Sequence, residues 1–245
     1  MVGAILVERR DPTMTRPSFS ASEAALHEEA VRAAGSEDFG DPSYCEALRV
    51  VLAAYDCEAK FHDAGRGAAR ANLVQLLTTR LRSQAQLRHT VAGASDGAIR
   101  RPIIVLGLVR TGSTALHHLL GQDPSLQVLE YWLAARPRPR PPRAAWESNA
   151  DFQAAAAEIE AMYAFDPGLR KIHLMAPDLA EECRHFLAQS FTDDSFEVNA
   201  TVPSYTAWYE GGHHVAAYRR HRQLVGLVGG GDGLVFGGGV VELSP

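Results

Sequence analysis

Lysine is nearly missing from this chain. Lys60 and Lys171 are the only two, so arginine carries almost all of the positive charge. With abundant Ala, Gly and Val, that bias reads as GC-rich coding rather than chemistry. There is no basic excess either: the net charge is -5, which argues against a nucleic-acid binder. No apolar run approaches the length of a membrane span. The opening MVGAILVERRDP is too short in apolar residues, and too soon charged, for a secretory signal. Cysteine is scarce, and Cys45, Cys57 and Cys183 form an odd, scattered set. That excludes a disulfide framework and makes a reducing cytoplasm the expected compartment. What is present is 245 residues, 46% of them hydrophobic. This is enough for one sizeable core with a small helical appendage.

The most informative stretch is RPIIVLGLVRTGSTALHHLLG, residues 101–121. Ile103, Ile104, Val105 and Leu106 suit a strand buried on both faces. Gly107 ends it, and Arg110, Thr111, Gly112, Ser113 and Thr114 form a turn of small residues around one cation. Ala115, Leu116, Leu119 and Leu120 then fall at helical spacing, with Gly121 as the stop. A strand, a Gly-containing loop and a helix make an anion cradle, because first-turn N–H groups have no intrahelical partner and the dipole adds positive charge. The spacing nearly matches the nucleotide loop G-x-x-x-x-G-K-[ST]. Ser113 stands where the lysine should be, and Arg110 supplies a cation inside the loop instead. Such a loop suits a smaller anionic group held without metal.

The region from 20 to 92 reads as helical, behind a loose arm over 1–19. Ser20 and Glu23 have capping-box spacing before an amphipathic helix that ends near Gly35. Asp41 and Pro42 open a second helix with Tyr44, Leu48, Val51, Leu52 and Tyr55 on one stripe. A break at 62–67 precedes a third, with Leu73, Leu76, Leu77 and Leu81 inward and arginine on its other face. Residues 92–100 are a linker. Beyond the central helix, 126–129 is a candidate strand, and the alternating RPRPRPPR of 136–143 favours an extended, solvated path. The alternative for that segment is a basic strip beside an anionic substrate. Residues 150–164 are helical. Asp178 is a candidate cap for a helix carrying Glu181, Glu182, Cys183 and His185, and 191–198 is β-prone. Two more helices open near Val202 and at Ala216. From Gln223 to Pro245 the chain turns Gly-rich, without Lys or Arg. It reads as a poorly ordered tail, since each interior glycine costs a helix about 1 kcal/mol.

RPIIVLGLVRTGSTALHHLLGQDPSLQVLEYW resembles the opening of bacterial sulfotransferases that use 3′-phosphoadenylyl sulfate (PAPS). IHLMAPDLAEECRHFLAQSF and FEVNATVPSYTAWY resemble that family's next two blocks, and the likeness runs from about Ser20 to about Arg222. It implies an α/β fold, a P-loop-like parallel sheet flanked by helices over 101–222, behind the helical N-terminal region. It implies transfer of a sulfuryl group from PAPS to a hydroxyl or amine of a small molecule, with no metal. Arg110, Thr111, Gly112, Ser113 and Thr114 would hold the 5′-phosphosulfate, with Arg110 also stabilising the leaving phosphate. His173 and Glu182 are the candidate general bases, because both lie in the block that resembles the acceptor side. Glu181 and Glu182 would raise each other's pKa if buried together.

The same resemblance predicts a Lys-Ser-Pro strand after the last helix, then an Arg and a Ser for the 3′-phosphate. The 23-residue stretch from Gln223 contains neither, so the fold is expected to be incomplete at the C-terminus and turnover to be low. A reading-frame change in GC-rich DNA would produce such a tail, and translating the downstream DNA in all three frames tests it. The competing readings are a non-enzymatic anion- or partner-binding remnant and a P-loop kinase or NTPase. Ser113 and the lack of a Walker-B strand disfavour the latter. The pairs His117-His118 and His213-His214, and Glu182 with His185, lack convincing metal-ligand spacing. Neither acceptor nor oligomeric state is legible.

Overall fold

The computed structural model describes residues 17–91, 102–107, 111–229 and 234–237. Arg110 and the linker 92–100 lie outside the described residues.

Three helices form the N-terminal region: α1 (Glu23–Ala34), α2 (Tyr44–Cys57) and α3 (Asp63–Val91). The predicted stripe is the packed face: Tyr44, Leu48, Val51, Leu52 and Tyr55 are buried against Leu73, Leu77 and Leu81. Gly35 closes α1 in the left-handed region at φ 67°, where glycine carries no Cβ penalty. The capping box does not form. A 3-10 turn over Ser20–Ser22 leads into α1, and the Asp56 carboxylate of α2 accepts from the Phe19 and Ser20 N–H groups at 2.7 and 2.9 Å. Glu23 pairs with Arg49 instead. The expected break at 62–67 also closes up: α3 begins at Asp63 and Gly65 N–H donates to His62 Nδ1 at 3.1 Å.

The arginine face of α3 is not uniformly outward. Arg80 is 2% exposed. It lies over the Tyr44 ring at 4.2 Å and donates to the carbonyls of Phe39, Asp41 and Gln189. Arg220 reaches the same point from α11 (Val215–Gly229), donating to Arg80 O and Ser83 Oγ at 3.0 and 2.7 Å. Burial lowers Arg80 to about 10 and Arg220 to about 9, so both stay charged at neutral pH. Backbone carbonyls, rather than carboxylates, meet these charges and pin α3 to α11.

The chain then runs through β1 (Ile103–Val105), α4 (Ser113–Leu120), β2 (Gln127–Val128) and α5 (Tyr131–Ala135). Next come α6 (Ala150–Phe165), α7 (Leu169–Ile172), α8 (Arg184–Ala188), α9 (Ser195–Asn199) and α10 (Pro203–Gly211), ahead of α11. Two cores result. One joins α1–α3 with Phe191, Phe196, Val202 and Tyr205. The other joins α5, α6, Phe186 and the end of α11 around Trp132 and Trp146. The β-prone 191–198 is a turn and α9 rather than a strand. Tyr205 supplies the reason: its hydroxyl hydrogen-bonds Phe191 O, Asp193 O and Asp193 N–H, so that backbone is held by a side chain and has no strand partner.

The tail reading needs correction in two places. Gln223–Gly229 continues α11, because Leu224, Val225, Leu227 and Val228 are buried in the second core and that burial outweighs the two glycines. Leu234–Gly237 is a strand, β3, and the sheet is parallel in the order β1-β3-β2. Ile104 pairs with Phe236 and Val128 with Val235. β1 differs from its expectation as well. Val105 is buried, while Ile104 is 62% exposed and Leu106 55%. The run supplies backbone pairing to β3 and not a two-sided core. Among the described residues α4 is the helix that packs against this sheet.

Candidate active site

Gly112 takes φ 92°, ψ 14° and turns the chain into α4. Its carbonyl accepts the first helical bond from Leu116 N–H at 3.0 Å, which leaves the N–H groups of the first turn without helical partners. Among the described residues nothing lies within 4 Å of where a Gly112 Cβ would sit. Gly107 is required for a different reason: a Cβ there would stand 2.8 Å from Thr111 Oγ1.

Opposite α4 stands the segment 173–182, anchored three ways. Tyr163 of α6 donates to His173 O at 3.0 Å and accepts from Met175 N–H at 2.6 Å. Residues 177–181 run beside 129–132, with Glu181 N–H on Leu129 O at 2.7 Å, Tyr131 N–H on Leu179 O and Trp132 N–H on Pro177 O. His118 of α4 donates from Nε2 to Ala180 O at 3.1 Å. The anticipated helix capped by Asp178 therefore begins only at Arg184. Glu181 and Glu182 lie in the extended approach to it, because their backbone is bonded elsewhere, and Asp178 pairs with Arg143.

These anchors bring Ser113, Thr114, His117 and His118 to one narrow cleft with His173, Glu181 and Glu182. Its free volume is about 10 Å³, room for one water at most. Thus Ser113 and Thr114 line the same cleft as His173 and Glu182. Thr111 and Gly112 are exposed at its edge. Arg110 lies outside the described residues.

The charges are arranged unequally. Glu181 is 8% exposed, with its carboxylate 3.6 Å from His173 Nε2. Burial alone would raise Glu181, but His173, His185 and the Glu182 N–H outweigh it and hold the carboxyl at about 2. The same carboxylate pulls the His173 pKa upward, against burial. Glu182 moves the other way, raised by burial and then by Glu181, with Arg184 opposing at 3.4 Å. The two carboxyls thus separate, and mutual repulsion raises only one. Burial also lowers His185, which meets the Tyr131 ring edge-on. The clamp by Tyr163 carried no signal in the sequence. Among the described residues no three His, Cys, Asp or Glu side chains converge as metal ligands.

A strand, an αL-glycine turn and a helix N-terminus thus face an acid–imidazole pair across one cleft. Residues 102–221 match the model of the sulfotransferase family, and through that segment the chain belongs to it. Sulfotransferase STF1 from Mycobacterium tuberculosis H37Rv is similar in its crystal structure. It is 40% identical with a TM-score of 0.83, over 91% of this chain and 62% of that one. Sulfotransferase STF9 from Mycobacterium avium shares the fold at 20% identity and a TM-score of 0.76, over 89% of this chain and 56% of that one. This chain therefore spans about three fifths of the length of each. A search of curated proteins gave no match.

Proposed function

We propose that a sulfuryl-transfer site lies at the mouth of the cleft between α4 and 173–182, with PAPS as donor and a hydroxyl or amine of a small molecule as acceptor. The observation that carries this reading is the convergence of Ser113 and Thr114 with His173 and Glu181 across one cleft. The αL turn at Gly112 and the close packing at Gly107 fit an oxyanion donor. Thr111, Gly112, Ser113 and Thr114 would hold its 5′-phosphosulfate, with Arg110 as the loop's cation. PAPS supplies an activated sulfuryl group, whose bond to the 5′-phosphate breaks as the bond to the acceptor forms.

His173 takes the acceptor's proton at one imidazole nitrogen while Glu181 orients the ring and stabilises the imidazolium. Glu182, with its raised pKa, is the second candidate base. Charge developing on the leaving phosphate falls on the N–H groups of the first turn of α4. The unpaired Cys45, Cys57 and Cys183 suit a reducing compartment.

The test is transfer from radiolabelled PAPS to a panel of phenols, sterols, lipids and sugars. Roles are read as ratios of rates. H173Q should lower the rate about a hundredfold or more, and the parent rate should climb with pH above 6.5 as His173 loses its proton. An unchanged rate in H173Q with a large loss in E182Q would transfer the role to Glu182. No loss in either would end the assignment.

A further inference from the structure

The proline-arginine segment 136–143 is exposed only in part, at Pro139, Pro142 and Arg143, and its arginines are not a free basic strip. Arg136 pairs with Glu158. Arg138 Nη1 lies 3.0 Å from Asp151 and 3.2 Å from Asn149 Oδ1. Arg140 forms a buried pair with Glu130 and also donates to Val128 O and Val228 O. Arg143 meets Asp178 and lies over the Trp146 ring at 4.6 Å. Most of these guanidiniums are thereby matched, but at one end of the segment the matching is short.

Where α3 passes α5, a cavity of about 120 Å³ is lined by Thr79, Arg82 and Gln86 of α3 and by Ala135, Arg136, Pro137, Arg138 and Asp151. Three arginines line it with one carboxylate, Asp151, which is engaged by Arg138 and, at 4.0 Å, by Arg136; Arg136 also pairs with Glu158 outside the lining. Arg136 Nη1 is buried with no hydrogen-bond partner. Arg82 makes one hydrogen bond among the described residues, to Ala33 O at 3.1 Å. Three arginines with a hydroxyl and an amide line this cavity beside a single lining carboxylate, and that excess of donors suits an acceptor. The cavity leaves room for one phosphate, sulfate or carboxylate group.

We infer that the cavity between α3 and the 135–138 segment is a second anion site, which takes a single oxyanion group through Arg82, Arg136 and Arg138. It does not rest on the sulfuryl-transfer reading. The group could be a free inorganic anion or could be carried on a larger molecule. α5 links the two places: its first residues are bonded to 177–179 beside the cleft, and its last, Ala135, lines this cavity.

The experiment is an NMR titration of the isotope-labelled full chain, following the arginine Nε–H signals. Inorganic phosphate, sulfate and methyl phosphate are added at constant ionic strength. Saturable shifts at Arg136 and Arg138 are expected. R82Q should weaken binding about tenfold to a hundredfold, the loss of one charge-assisted contact, and R82K should recover part of it. Arg82 is exposed, so neither variant threatens the fold. Methyl phosphate binding as well as phosphate means that the site accepts a carried group, and phosphate alone means a free ion. Both outcomes support the inference. No saturable shift at tens of millimolar, identical shifts with chloride, or unchanged affinity in R82Q would overturn it. The amide signals of residues 112–115 report the cleft separately, so failure at one place leaves the other standing.

Discussion

Glu181→Gln tests the link between burial, charge and chemistry in the cleft. The amide keeps the shape of the side chain, and its oxygen can still accept the Glu182 N–H that now donates at 2.8 Å. Only the charge beside His173 is lost. The distance from about 2 to the ordinary 4.5, at about 1.36 kcal/mol per pH unit, is about 3 kcal/mol of folding stability. That is a ceiling, because part of it needs a charged His185, whose pKa burial lowers. A loss of about 1–3 kcal/mol is the expected range. The sign follows from both partners. The Glu181 pKa is depressed on folding, so its contribution is present above 4.5 and lost as pH falls through about 2. The His173 pKa is raised, so its contribution is full below 6.5 and lost as pH rises through its higher folded value. The parent and E181Q should therefore differ most in urea unfolding between pH 4.5 and 6.5, and converge on either side. In the same variant the His173 ring signals should titrate at or below 6.5. A stability difference that ignores pH, or a His173 titration unmoved by E181Q, would refute the coupling and the orienting role with it.

Three further outcomes are expected. Y163F removes the hydroxyl that accepts from Met175 N–H and donates to His173 O. It should cost about 1–3 kcal/mol in chemical denaturation and lower the transfer rate by more than that loss explains, by freeing His173. R140M leaves Glu130, 6% exposed, without its partner. About 3–5 kcal/mol of stability should go, read as a large drop in Tm. G107A pushes on Thr111 Oγ1 and should weaken PAPS binding severalfold, and T111A in the same chain should relieve it. Additive effects in that double-mutant cycle would deny the contact.

Local patterns carried the helices well. The stripe Tyr44 to Tyr55 and the stop at Gly35 are decided within a few residues, and both are visible in the sequence. The strand-turn-helix at Gly112 was legible for the same reason, because an αL glycine before a helix is local chemistry. The misreadings share a cause in long-range competition. Ser20 and Glu23 had capping-box spacing, yet Asp56, a distant residue, took the N–H groups. Asp178 could cap a helix, yet Arg143 claimed it. Residues 191–198 had strand propensity, yet Tyr205 bonded their backbone. Gln223–Gly229 had the composition of a tail, yet four apolar side chains found the second core.

Arginine makes the same point most sharply, and it bears on function. Nothing local separates Arg80, buried among carbonyls, from Arg82 two residues later, exposed at the mouth of a cavity. The period of α3 puts them on different faces, but which face meets α11 and which meets α5 depends on how distant segments pack. Arg136, Arg138, Arg140 and Arg143 are equally alike in sequence, and the structure divides them by the carboxylates within reach. Arg140 and Arg143 are matched and hold the fold together. Arg136 keeps a donor without an acceptor, and Arg82 has a single carbonyl. A guanidinium that folding leaves under-matched is a binding group available to a ligand, and on that ground the basic segment bears on recognition as well as on stability.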